Sequence, residues 1–121
     1  MSFFKKNNKG TLVVHLNMAA MEHADKGGEA FREGKLDEAV AKFHEALEAD
    51  ASFALAHSAL AVVYGKLDKH DDAIQHGLKV CELEPNDPFS FTAMSVTYVR
   101  AGRIPEAEEA MARAHQLQAS G

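Results

Sequence analysis

Apolar side chains in this chain come in short bursts at helical spacing. Leu60, Val63, Tyr64 and Leu67 fall three or four residues apart and so share one face of a helix. Asp68 interrupts the run. The chain then restarts on Asp71 and Asp72, acids that suit a helix N-terminus, where the backbone dipole is positive. The same order surrounds Gly34 and Gly102, so each burst predicts two helices joined by a tight turn. Proline marks the boundaries. Pro105 suits a first helical turn, where its missing N–H leaves no bond unmade. The stretch Glu82–Pro88, with prolines at 85 and 88, ends a helix, because proline cannot continue one and biases the residue before it toward extended backbone.

These bursts repeat. Ala39, Ala73 and Ala107 stand 34 residues apart, and so do Gly27, Ala61 and Ser95; Ala30, Tyr64 and Tyr98; and Ala46, Val80 and Ala114. The frame they set gives units 20–53, 54–87 and 88–121, preceded by an N-terminal extension, 1–19. Small residues at matched places let two helices approach closely. A pair of such short helices cannot bury its apolar stripe alone, so the pairs must stack on one another. The expected fold class is all-α.

Over about residues 20–121 the chain resembles the tetratricopeptide repeat family. The resemblance rests on Leu60, Ala61, Tyr64, Ala73 and Pro85 in the second unit, and on Phe91, Met94, Ser95, Tyr98, Ala107 and Ala114 in the third. The first unit keeps Gly27, Gly34, Ala39, Phe43 and Ala46, but has His23 and Lys26 where a bulky apolar residue is usual. The resemblance implies a right-handed α-solenoid of three helix-turn-helix units. Their first helices would line a concave groove, which in this family receives a peptide or another protein.

On this sequence the groove-lining places map to Met21, Ala24, Gly28 and Arg32; Leu55, Ser58, Val62 and Lys66; and Phe89, Thr92, Val96 and Arg100. Met21, Leu55, Val62, Phe89 and Val96 would form an apolar stripe, and Arg32, Lys66 and Arg100 a basic ladder along one edge. A helix C-terminus favours cations in any case, so the ladder alone says little. The expected partner is a protein or peptide, an amphipathic helix or extended segment with apolar anchors and nearby acidic groups. One branch of the family clamps the terminal carboxylate of large cytosolic chaperones with Lys and Asn. The matching places here are Ala24, Gly28, Ala59, Phe89 and Ala93, none with a side-chain donor, which argues against that ligand.

The family pattern also places two side chains of each second helix against the following unit. They are Val40 and Leu47, then Ile74 and Cys81, and finally Glu108 and His115. Apolar gives way to polar in the third unit, the expectation for an end at Gly121 that caps itself. Met111 and Leu117 leave some apolar surface there, which keeps pairing with a second copy open. In the extension, Leu12, Val13, Val14 and Leu16 are too apolar for a solvated tail. A helix from Thr11, with Leu12, Leu16, Ala20 and Ala24 on one stripe, is favoured over a strand at Val13 and Val14. Phe3, Phe4, Lys5 and Lys6 would make only a weak membrane anchor.

Composition narrows the chemistry. With 121 residues, 46% of them hydrophobic and 26% charged, the chain has the make-up of one globular domain. Thirteen basic against eighteen acidic residues give a net charge of -5, which disfavours nucleic acid as a partner. A lone Cys81 excludes an internal disulfide and a cysteine-built zinc site, and fits a reducing compartment. No apolar run reaches the roughly 20 residues that span a bilayer, and the start does not read as a signal peptide, so cytoplasm is the expected location.

Of seven histidines no two stand four apart, the usual spacing of zinc ligands on one helix. His23 and His57 occupy equivalent places and read as replacements for a bulky packing residue, while His70 and His76 read as solvated. There is no Gly-rich phosphate loop and no nucleophile motif. The pairs Asp37-Glu38, Asp71-Asp72 and Glu108-Glu109 read as dipole partners and solvated faces, and Cys81 as a small buried hydrophobe. No enzyme, metal or cofactor is expected. The reading is an interaction adaptor. Its rival is a self-assembling structural protein that uses the groove and the N-terminal segment to pair with its own copies.

Overall fold

The computed structural model describes residues 4–6, 12–14 and 17–120. Two short strands, β1 (Phe4–Lys6) and β2 (Leu12–Val14), precede α1 (Met18–Arg32), α2 (Leu36–Ala49), α3 (Ala54–Lys66), α4 (His70–Leu83), α5 (Pro88–Arg100) and α6 (Ile104–Ser120). The chain divides into two compact units, Met1–Phe53 and Ala54–Gly121.

In the first unit β1 and β2 pair antiparallel, with Phe4 opposite Val14 and Lys6 opposite Leu12. This corrects the expected helix from Thr11. Adjacent β-branched residues, Val13 and Val14, lose side-chain freedom in a helix and favour the extended state. Leu12 therefore shares no helical stripe with Ala20 and Ala24; Thr11, Leu16 and Phe3 lie outside the described residues. The helix begins later because Asn17 caps it. The Asn17 side chain accepts from the Ala20 N–H at 3.0 Å, and its Nδ2 donates to the carbonyl of Ala49 at 2.7 Å. The helices α1 and α2 close on small residues around one ring: Ala20, Ala24, Gly27 and Ala30 are buried on α1, and Ala39 and Ala46 on α2 beside Phe43.

Among the described residues the three helix–helix turns, between α1 and α2, α3 and α4, and α5 and α6, are built alike. Lys35 N–H donates to Ala30 O and Gly34 N–H to Phe31 O; Lys69 and Asp68 bond Tyr64 and Gly65 in the same way, and Arg103 and Gly102 bond Tyr98 and Val99. This double bond pattern needs a residue in the left-handed region. Gly34, Asp68 and Gly102 supply it with φ of +79°, +60° and +76°.

The second unit contains two hairpins, α3–α4 and α5–α6. Leu60, Val63 and Met94 are its largest fully enclosed side chains. Ile74 and Cys81 of α4 meet Met94 and Ala110 in one cluster, flanked by Phe91, Tyr98 and Ala101, so the second helix of one hairpin packs on the next. Glu108 and His115, at the matching places of α6, are exposed. The helical part is an all-α repeat of hairpins. Among the described residues no helix is long and apolar enough to cross a membrane.

A groove between α3, α4 and α5

Short turns make α3 and α4 antiparallel, and α4 and α5 likewise, so α3 and α5 run side by side in the same direction. Between them lies a cavity of about 550 Å³. Its walls are Ser58, Ala61, Val62, Gly65 and Lys66 on α3, and Phe89, Ala93, Val96, Thr97 and Arg100 on α5. Ala73, Gly77 and Val80 of α4 form the floor, joined by Met94. The floor is shallow in side chain by necessity. A methyl group at Gly77 would lie 2.7 Å from the Met94 sulfur, which is itself enclosed.

The walls are apolar and open. Phe89 is 72% exposed, Val96 45% and Val62 44%, well above what large apolar side chains retain in a core. Charge gathers at the two ends. Lys66 and Arg100 close α3 and α5 at the end where His70 opens α4, whereas Glu84 and Asp87 lie at the opposite end, between α4 and α5. Arg100 reaches across from α5, its Nη1 3.9 Å from where a methyl on Gly65 of α3 would sit. Asp87 also caps α5, its Oδ1 accepting from the Phe89 N–H at 3.0 Å. Ser90 secures the corner below by donating to Asp87 O at 2.7 Å and Glu84 O at 3.1 Å.

The residues mapped from the sequence divide as follows. Ser58, Val62, Lys66, Phe89, Val96 and Arg100 line this cavity. Leu55 is exposed at the start of α3 outside it, and Thr92 is half-buried and donates to Pro88 O at 3.1 Å. Met21, Ala24, Gly28 and Arg32 belong to α1 in the first unit. There Met21 and Arg32 are exposed, Gly28 is half-buried and Ala24 is buried. Arg32 folds back over its own helix, Nη1 3.4 Å from where a methyl on Gly28 would sit. The groove places mapped from the sequence leave out Gly77, Val80 and Met94, and the acidic end at Glu84 and Asp87, all of which line the cavity. Gly77 carried a usable signal, since an interior helical glycine costs about 1 kcal/mol against alanine and so calls for a packing reason.

The histidines are also placed. His57 is buried as a packing residue, but its Nδ1 lies 3.0 Å from Nδ1 of His76, and Tyr64 stacks on His76 with ring centres 5.6 Å apart. His76 is therefore half-buried rather than solvated, because α4 turns it inward against α3. His23 Nδ1 lies 3.7 Å from Glu45, and His70 Nε2 3.7 Å from Asp68. Among the described residues no three His, Cys, Asp or Glu side chains gather as a metal site would require. Cys81 is buried, and burial pushes its thiol pKa up; its Sγ donates to Ser90 O at 3.5 Å, a bond that only the neutral thiol can make.

A family model described as TPR repeat matches residues 27–68. No curated protein sequence matches at a significant level. Among solved structures, the second TPR of Spaghetti (RPAP3), bound to the HSP90 peptide SRMEEVD, superposes with a TM-score of 0.75 at 23% identity, covering 84% of this chain and 94% of that one. The Arabidopsis OM64 TPR domain superposes with a TM-score of 0.76 at 18% identity, covering 87% of each chain. A crystal structure of MamA gives a TM-score of 0.78 at 20% identity over 87% of this chain, which spans only 61% of that longer protein. At these identities the likeness is one of fold.

Proposed function

On the premise that this chain belongs to the tetratricopeptide repeat family, we propose that it is a protein-interaction module whose groove between α3, α4 and α5 takes a segment of a partner protein. The observation that carries the reading is the exposure of Phe89, Val62 and Val96 on facing walls above a floor of Ala73 and Gly77. Large apolar side chains grouped around a concavity cost free energy while they face water. Covering each contributes roughly 1.5 to 3 kcal/mol gross, so a few anchors suffice for micromolar binding after ordering costs. Phe89 and Ala93 offer a terminal carboxylate no side-chain donor, so the apolar anchors are the primary recognition element. No catalytic step is assigned to the groove.

The test is capture of partners on the immobilised full chain, with Val62→Asp as the control. A specifically captured protein should be lost from the Val62→Asp resin, and equal retention by both would exclude the groove. Self-assembly is the second reading, favoured by the same uncovered apolar walls. Light scattering of the full chain separates the two. A monomer supports the interaction module, and an oligomer dispersed by Val62→Asp supports assembly through the groove.

A further inference from the structure

We infer that the groove is divided in charge from end to end and selects a partner segment divided the same way: acidic where it meets Lys66 and Arg100, apolar in the middle, and basic where it meets Glu84 and Asp87. This deepens the proposed interaction function and rests on it.

The charged lining is balanced, with two cations at one end and two carboxylates at the other. A segment acidic along its whole length would gain at Lys66 and Arg100 but meet like charge at Glu84 and Asp87. Only a segment with opposite ends gains at both. The separation makes the ends independent. They lie at opposite termini of α5, a helix of 13 residues, hence about 20 Å apart at roughly 1.5 Å per residue. That is about twice the 8 to 10 Å over which charges act through physiological salt, so neither end cancels the other's field.

The same span sets the length of the occupant, about six extended residues or about thirteen helical ones. Between the ends, the occupant meets Phe89, Val62 and Val96, which call for apolar anchors. Charges placed this way set direction and rate of approach more than affinity, so the inference concerns which segments bind and in which orientation.

A library of random peptides about 14 residues long, displayed on phage and selected on the full chain, tests it. Selected peptides should carry acids at one end, bases at the other and apolar residues between. A synthetic copy of one should bind about tenfold more weakly to Glu84→Lys, and also to the double variant Lys66→Glu with Arg100→Glu. In the triple variant carrying all three reversals, a peptide with its charges exchanged end for end should bind better than the original.

Two results overturn the charge division while leaving the groove function standing. One is peptides that need Val62 but are acidic throughout or uncharged; the other is binding indifferent to Glu84→Lys. Peptides that bind Val62→Asp as well as the native chain, or no enrichment at all, overturn the groove function itself. A native chain that scatters as a dimer dispersed by Glu84→Lys would assign the groove to a second copy and overturn the partner inferred here.

Discussion

The ring of Phe43 occupies the space where Gly27 has no side chain: a methyl group there would lie 2.9 Å from both Cε1 and Cζ. An aromatic ring is rigid and this one is buried, so it cannot yield as a lysine or arginine tip would. Gly27→Ala should therefore destabilise the protein by about 1 to 2 kcal/mol, because a clash of roughly 1 to 3 kcal/mol outweighs the gain in helix propensity of up to about 1. Gly65→Ala is the contrast. Its nearest neighbour is the flexible Arg100 tip at 3.9 Å, so the propensity gain should stand, about 0.5 to 1 kcal/mol. Urea unfolding of the two variants checks both signs.

Asp68 holds the left-handed turn position that glycine fills in the other two hairpins. A side chain there costs about 1 kcal/mol, and the Asp68–His70 pair at 3.7 Å involves a carboxylate almost wholly in water, so losing it gives back little. Asp68→Gly should raise stability by roughly 0.5 kcal/mol, whereas Gly34→Ala and Gly102→Ala should each lower it by about 1. A lower melting temperature for Asp68→Gly would show that the acid is needed in that turn.

Met94 is 2% exposed and forms part of the groove floor against Gly77. Met94→Ala should cost about 2 to 5 kcal/mol by opening a cavity, while Met94→Leu, close in volume, should cost less than about 1.5. Thermal melts followed by circular dichroism measure the difference.

Burial holds the Cys81 thiol neutral. At neutral pH the native chain should react with iodoacetamide far more slowly than the urea-unfolded chain, because the thiolate is the nucleophile. The sign with pH follows. A folded pKa above the unfolded one makes the neutral thiol's stabilisation complete below the ordinary thiol range, and it is lost as pH climbs through the raised value. Cys81→Ala should therefore lose less stability than the native chain between pH 8 and pH 10, a window of about two units around the ordinary thiol pKa. Equal alkaline losses would show that this thiol does not contribute.

The 34-residue interval made the helical hairpins legible, because a stacked interior demands matching side chains at matching places. It even singled out Asp68 as the partner of Gly34 and Gly102. Periodicity reports which places are equivalent, however, and not what they face. His57 and His76 are 19 residues apart on different helices, and nothing in their spacing announces that the rings meet. The groove walls could be mapped from first-helix positions. Its acidic end and most of its floor come from α4 and the corner after it, which that mapping left aside, and Met94 of α5 completes the floor. Val13 and Val14 were ambiguous for a different reason. A short apolar run fits either a helix or a strand, and the capping bond at Asn17 decided the boundary.

Asn17 does two things at once, starting α1 with its oxygen and holding the last carbonyl of α2 with its nitrogen. It is thus a clasp that fastens the mouth of the first hairpin shut. Trimming the chain up to residue 16 keeps that clasp, whereas removing one residue more frees both helix ends together and should fray them first. Any shortened form used to study this protein should retain it.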